Sequence, residues 1–166
     1  MSVVFAIYSV LALAAMASDI AFYKIPNAIV LALLFLFVVV AYAYMPHGEW
    51  SSHALAGAGT LVVTALLYAA RALGAGDAKM ISALAVWAGL DGLFPLLFYV
   101  SVIAFLGMLV ILMLRRLLPY AMRRGWIKQR ALPRVLRKGE GVPYAIGIGP
   151  GAILAAAWFP AWLWQL

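Results

Sequence analysis

The 166-residue chain contains no cysteine. That excludes a disulfide framework, a Cys-ligated zinc site and a thiol nucleophile. Charge is nearly as scarce: 10% of residues are charged, against about a quarter in a soluble domain. Only five residues are acidic and two are His, so few side chains are available for proton chemistry. The chain also has no internal repeat and no low-complexity linker. What it has instead is apolar residues, 68% of the total. One soluble core cannot hide that much apolar surface, and the same figure excludes disorder. The solvent that suits this chain is a lipid bilayer. Its length allows one integral-membrane domain of about six short spans, at roughly 20 residues each.

Hydropathy places the spans at about 2–18, 28–45, 53–73, 77–90, 93–114 and 142–165. The expected fold is therefore an all-α bundle of about six transmembrane helices forming a single domain over 1–166. No basic region precedes the first run, so it reads as a retained helix rather than a cleaved signal. The last run is interrupted by Gly147, Gly149, Pro150 and Gly151.

With six spans, the connections 19–27, 71–79 and 115–141 fall on one side. They hold Lys24, Arg71, Lys79 and nine bases from Arg115 to Lys138, which is all 12 Lys and Arg. The opposite side has His47, Glu49, His53 and Asp91. The positive-inside rule then puts the basic connections in the cytoplasm and both termini outside. Tyr42, Tyr44, Trp50, Trp158, Trp162 and Trp164 gather near the outer ends, as an aromatic belt would.

The net charge of +7 is thus explained by orientation. Segment 115–141 mixes nine Arg and Lys with Leu117, Leu118, Met122, Trp126 and Ile127, and is punctuated by Pro119, Gly125 and Pro133. It reads as a basic cytoplasmic loop lying on anionic lipid. It is too short for a nucleic-acid-binding module, and no nucleic-acid partner is expected.

Orientation leaves two acids unexplained. Asp19 closes the first span, and Asp77 opens the fourth in Gly74-Ala75-Gly76-Asp77. They are far apart in sequence and at the same membrane depth. Two carboxyls sharing a site hold a single proton between them, an arrangement that supplies a base and an acid at once. Peptide hydrolysis by paired Asp needs no metal, thiol or Ser-His relay. Simpler readings stand beside this one. Asp77 suits a helix N-cap, and Asp19 suits a solvated helix end paired with Lys24. A small carrier or channel component would use the same two acids as proton or ion sites.

At these residues the chain resembles the type IV prepilin peptidase family of membrane aspartic proteases, and most of all its short, peptidase-only members associated with tight-adherence (Flp) pili, the CpaA/TadV group. Three patches carry the resemblance. Asp19 is followed by Ile25-Pro26-Asn27, as in the family's first-aspartate segment. Gly74-Ala75-Gly76-Asp77-Ala78-Lys79 is similar to its Gly-x-Gly-Asp motif with a trailing Lys. Pro143-Tyr144 is similar to the entry into its last span.

The resemblance implies an endopeptidase that removes the short basic leader of prepilins at the cytoplasmic face of a bacterial inner membrane. Asp19 and Asp77 would be its catalytic pair, with no cofactor and no metal. Long members carry a Cys-bearing zinc segment and also N-methylate the new terminus. Without cysteine, this chain is expected to be a protease alone.

Supporting roles follow for the flanking residues. Gly74 and Gly76 would let a substrate backbone approach Asp77. Lys79 would either tune the pair or mark the inner interface. Pro26 would start the second span, with Asn27 capping it. Pro143, Tyr144 and the glycines behind them would open the last span into a groove for extended peptide, or simply pack loosely.

Overall fold

In a computed structural model, the residues that are described, 2–124, 134–136 and 144–164, form helices and connecting turns with no strand among them. Five α-helices follow in order: α1 Val3–Phe22, α2 Asn27–Tyr44, α3 Trp50–Ala69, α4 Ala75–Arg123 and α5 Ala145–Ala155. Short 3-10 turns occupy Arg134–Leu136, Ala156–Trp158 and Ala161–Trp164. Pro143 and most of the basic segment lie outside the described residues.

Local chemistry sets the helix limits. Ser2 caps α1, its Oγ accepting the Phe5 N–H at 3.1 Å. Pro26 bars the chain before it from helix, and α1 stops at Tyr23 in the left-handed region, φ 53°. α2 then begins directly after Pro26, as the sequence predicts.

α1 to α4 are long and apolar enough to cross a membrane. Large apolar side chains such as Phe35, Tyr42, Leu66, Phe94 and Phe105 point outward. The core is narrow, built on Tyr8, Leu33, Met80, Leu84, Trp87 and Ile148. An apolar exterior around a thin core is what lipid permits and water does not. The chain is a multi-pass membrane protein. The helices alone do not give six crossings, because the α5 stretch, Ala145–Trp158, is shorter than a full span.

Three expected boundaries are corrected. A loop was expected near 91–92, but the helical run continues from Ala75 to Arg123 and breaks only at Gly89, with φ 63° and ψ −177°. Only glycine holds that conformation cheaply, so the chain turns there and Asp91 falls inside the resumed helix. The basic loop was expected from 115, but α4 runs on to Arg123. The helix passes Pro119 without ending and stops just before Gly125. Arg115 then fastens the next turn, donating from Nε at 2.9 Å and from a terminal nitrogen at 2.7 Å to the Val135 carbonyl.

The third correction concerns the last span. The glycines at 147–151 do not break it. α5 is helical through Pro150 and ends at Ala155, ahead of Pro160. The two 3-10 turns behind it fold over the bundle, so Trp162 is buried and Trp164 stacks on Trp87 at 5.9 Å. These two Trp belong to the core rather than to an interfacial belt, whereas Tyr42, Trp50 and Trp158 are exposed.

The α5 glycines make a tight interface, not a loose one. A Cβ on Gly147 would collide with the Ala104 backbone, and one on Gly151 would sit 2.6 Å from Val100 Cα. On the other side, a Cβ on Gly149 would lie 2.8 Å from the Ala12 carbonyl oxygen. α5 is thereby wedged between α4 and α1. Gly57 likewise packs against Val86, whereas Gly59 faces open space. Gly151→Leu should therefore overpack the wedge and destabilise the fold by about 1–3 kcal/mol, while Gly59→Leu should be tolerated. Thermal melting of the detergent-solubilised variants measures the difference, and equal Tm values would contradict the wedge.

Candidate active site

The end of α1 and the start of α4 meet at one end of the bundle. Asp19 lies in the last turn of α1 and is 8% exposed; Asp77 lies in the first turn of α4 and is 9% exposed. Both line one cleft of about 360 Å³, with Tyr23, Ile25, Asn27 and Gly76. An adjoining lobe of about 400 Å³ shares Asp19, Tyr23, Gly74 and Asp77 and adds Arg71, Leu73 and Tyr144. The two acids singled out in the sequence therefore share a pocket although 58 positions separate them.

Each carboxyl is held by a backbone donor. The Ala145 N–H, at the start of α5, donates to Asp19 Oδ2 at 3.3 Å. Asp19 is thus tied to α5 and not to Lys24, whose own link is its carbonyl accepting from Ser18 Oγ at 2.8 Å. Asp77 is the third residue after the N-cap Gly74, and its carboxyl receives the Gly74 backbone N–H. This is the backward half of a capping box. Asp77 is not itself the N-cap.

The glycines of the motif have local reasons. A Cβ on Gly74 would lie 2.7 Å from Asp77 Oδ2, so the bare backbone makes room for the folded-back carboxyl. A Cβ on Gly76 would press on Ile25 at 3.3 Å. In both cases the space beside the glycine is taken by the protein's own atoms.

Asn27 does not cap α2. The N-cap is Pro26, with no side-chain capping bond. Asn27 Oδ1 instead accepts from Lys79 Nζ at 3.3 Å, joining the start of α2 to the second turn of α4 beside the cleft. Lys79 is thus an exposed brace. Tyr144 is exposed and lines the second lobe, while Pro143 is outside the described residues.

Two pocket residues were not singled out from the sequence. Among the described residues, Tyr23 and Arg71 are the non-glycine ones with positive φ, 53° and 60°, and they flank the acids from the two connections. Conformations of this kind cost energy and collect at functional sites. The one signal for Tyr23 in the sequence is that its helix must end before Pro26. Nothing comparable marks Arg71. Among the described residues no cluster of three or more His, Asp or Glu gathers to hold a metal.

Comparison with known families gives one finding. Residues 6–114 match the model of the type IV leader peptidase family. The match includes both Asp19 and Asp77 and ends within α4. Neither curated proteins nor solved structures gave a match. With two buried carboxyls in one pocket, inside a segment covering well over half of the chain, this multi-pass membrane protein belongs to the type IV leader peptidase family.

Proposed function

We propose that the protein is an aspartic endopeptidase that removes the short basic leader of Flp-like prepilins at the cytoplasmic face of the bacterial inner membrane, with Asp19 and Asp77 as its catalytic pair. The observation that carries the reading is the shared, buried pocket of these two acids. They hold a water between them. One carboxyl takes a proton from that water, while the other, protonated, supports the scissile carbonyl and then the leaving amine. Backbone N–H groups of Ala145 and Gly74 fix the two carboxyls, so neither must be ordered during the reaction.

The cytoplasmic placement is supported by the cations beside the acids. Lys24, Arg71 and Lys79 all line the pocket lobes, and such residues favour the inner side. The six-span topology is supported by the break at Gly89, which divides a helix of 49 residues into two stretches. Unbroken, it would reach about 74 Å at 1.5 Å per residue, more than twice the hydrocarbon thickness. Both termini then lie outside. The basic segment after α4 rests on anionic lipid, and leader cleavage without N-methylation suits a chain lacking cysteine.

The test is co-expression with a candidate Flp-type prepilin, reading its size. Asp19→Asn and Asp77→Asn should each lower cleavage by at least about a hundredfold, with the protein still in the membrane. Processing at the wild-type rate by either variant would sink the pair. Solute flux that depends on both acids, without cleavage, would instead establish the carrier reading.

Gly74→Ala makes a finer test, because its Cβ would displace the Asp77 carboxyl. It should lower kcat by about ten- to a hundredfold with little change in KM. An unchanged kcat would show that the folded-back carboxyl is not the working geometry.

A further inference from the structure

The break at Gly89, where the chain turns from one stretch of α4 into the other, leaves backbone groups without the partners an unbroken helix would give them. In an unbroken helix the Leu90 N–H would donate to the Val86 carbonyl. Here both groups turn to neighbouring side chains of α3. Leu90 N–H donates to Ser52 Oγ at 3.0 Å. The Val86 carbonyl faces His53 Nδ1 at 2.6 Å, and because a carbonyl only accepts, Nδ1 carries the proton. The ring also fills the hollow of the break, since a Cβ on Gly89 would lie 3.1–3.3 Å from three of its atoms.

His53 is itself held from behind. It is 2% exposed and packed between the rings of Phe37 and Trp162 at 5.2 and 5.4 Å. Its Nε2 faces Glu49 Oε2 at 4.0 Å, and the same oxygen accepts from Trp162 Nε1 at 2.7 Å. A polar ring buried this completely calls for partners and a role. The peptidase chemistry does not use this one, which lies at the far end of the stretch that Asp77 begins.

α3 grips that stretch at its other end too. The Thr64 hydroxyl, which donates to the Thr60 carbonyl of its own helix at 2.8 Å, also lies 3.4 Å from the Ala78 carbonyl and 3.2 Å from Ser82 Oγ, and Ser82 Oγ donates to that Ala78 carbonyl at 2.7 Å. Ala78 adjoins Asp77. Residues 75–88 are therefore held against α3 by polar contacts beside the acid and by hydrogen bonds at the break.

We propose that Ser52 and His53 are positioning residues: they splint the break at Gly89 and so fix the helical stretch that presents Asp77 to Asp19. The catalytic half of this proposal rests on the peptidase reading, whereas the splint itself does not. Without the splint, the freed Val86 and Leu90 groups would seek each other or other donors, and the angle of the 75–88 stretch would change. Asp77 would then meet Asp19 less often in the working geometry.

Two readouts on the full-length membrane protein test this. The first is prepilin cleavage. His53→Leu should lower kcat about tenfold or more with KM little changed, and His53→Asn, which restores an N–H near the Nδ1 position, should recover most of it. The second readout does not depend on activity. Because the chain has no cysteine, Asp19→Cys with Asp77→Cys gives a unique thiol pair for a short bis-maleimide cross-linker. Cross-linking yield should fall several-fold when His53→Leu is added and return with His53→Asn.

Wild-type kcat in His53→Leu, or a loss of kcat with unchanged cross-linking, would overturn the proposal. If His53→Leu does not accumulate in the membrane, Ser52→Ala replaces it, with Ser52→Thr as the rescue, under the same criteria. If the unsubstituted protein cleaves no prepilin, the peptidase reading fails and cross-linking alone decides whether the splint exists.

Discussion

Inside a bilayer, a backbone polar group has only the protein to bond to, and the architecture here follows from that constraint. Regular helix meets the demand without help over most of the chain. Where the chain departs from helix, a partner has been brought to it. Gly89 breaks α4, and Ser52 and His53 stand at the two exposed groups. Lys24 ends the turn after α1, and Ser18 caps its carbonyl. The first N–H of α5 is met by Asp19. The places where helix gives way are also the places where helices are tied together.

Packing reinforces those ties. Without water to drive helices together, close approach and hydrogen bonds must do it. α5 supplies the close approach through glycines on two faces, one against α4 and one against α1. Trp87 and Tyr8 supply the bonds, donating to the carbonyls of Leu33 at 3.1 Å and Ala152 at 3.3 Å. The result holds the end of α1 and the starts of α4 and α5 in register, and Asp19, Asp77 and Tyr144 come from those three segments.

Much of this was legible in the sequence because charge is so rare. With all the bases assigned to one side, Asp19 and Asp77 stood out as acids at a common depth, and the structure places them in a common pocket. The start of α2 was legible too, since Pro26 dictates it. Other features depend on tertiary partners and left weaker marks. Asp91-Gly92 looked like a connection, but the conformational break is two residues earlier, at Gly89, where the His53 ring fills the gap. The glycines of α5 looked like interruptions, although a helix pressed between two others needs small residues in the same positions. Asn27 carried the signature of a cap, and only the approach of Lys79 from α4 shows its other use. Trp162 and Trp164 matched an interfacial belt in composition, and the fold-back at Pro160 put them in the core.

The hydrogen bonds to the two carboxyls have an electrostatic side. Ala145 and Gly74 stand at the beginnings of α5 and α4, and the start of a helix carries roughly half a positive charge from its aligned peptide dipoles. Each acid of the pair therefore faces the positive pole of a helix, and the backbone shares the negative charge with the Lys24, Arg71 and Lys79 side chains that line the pocket. Side-chain cations can be lost by a single substitution or drawn away by a bound anion; a helix pole cannot. In this protein part of the charge balance of the pocket is written into where two helices begin.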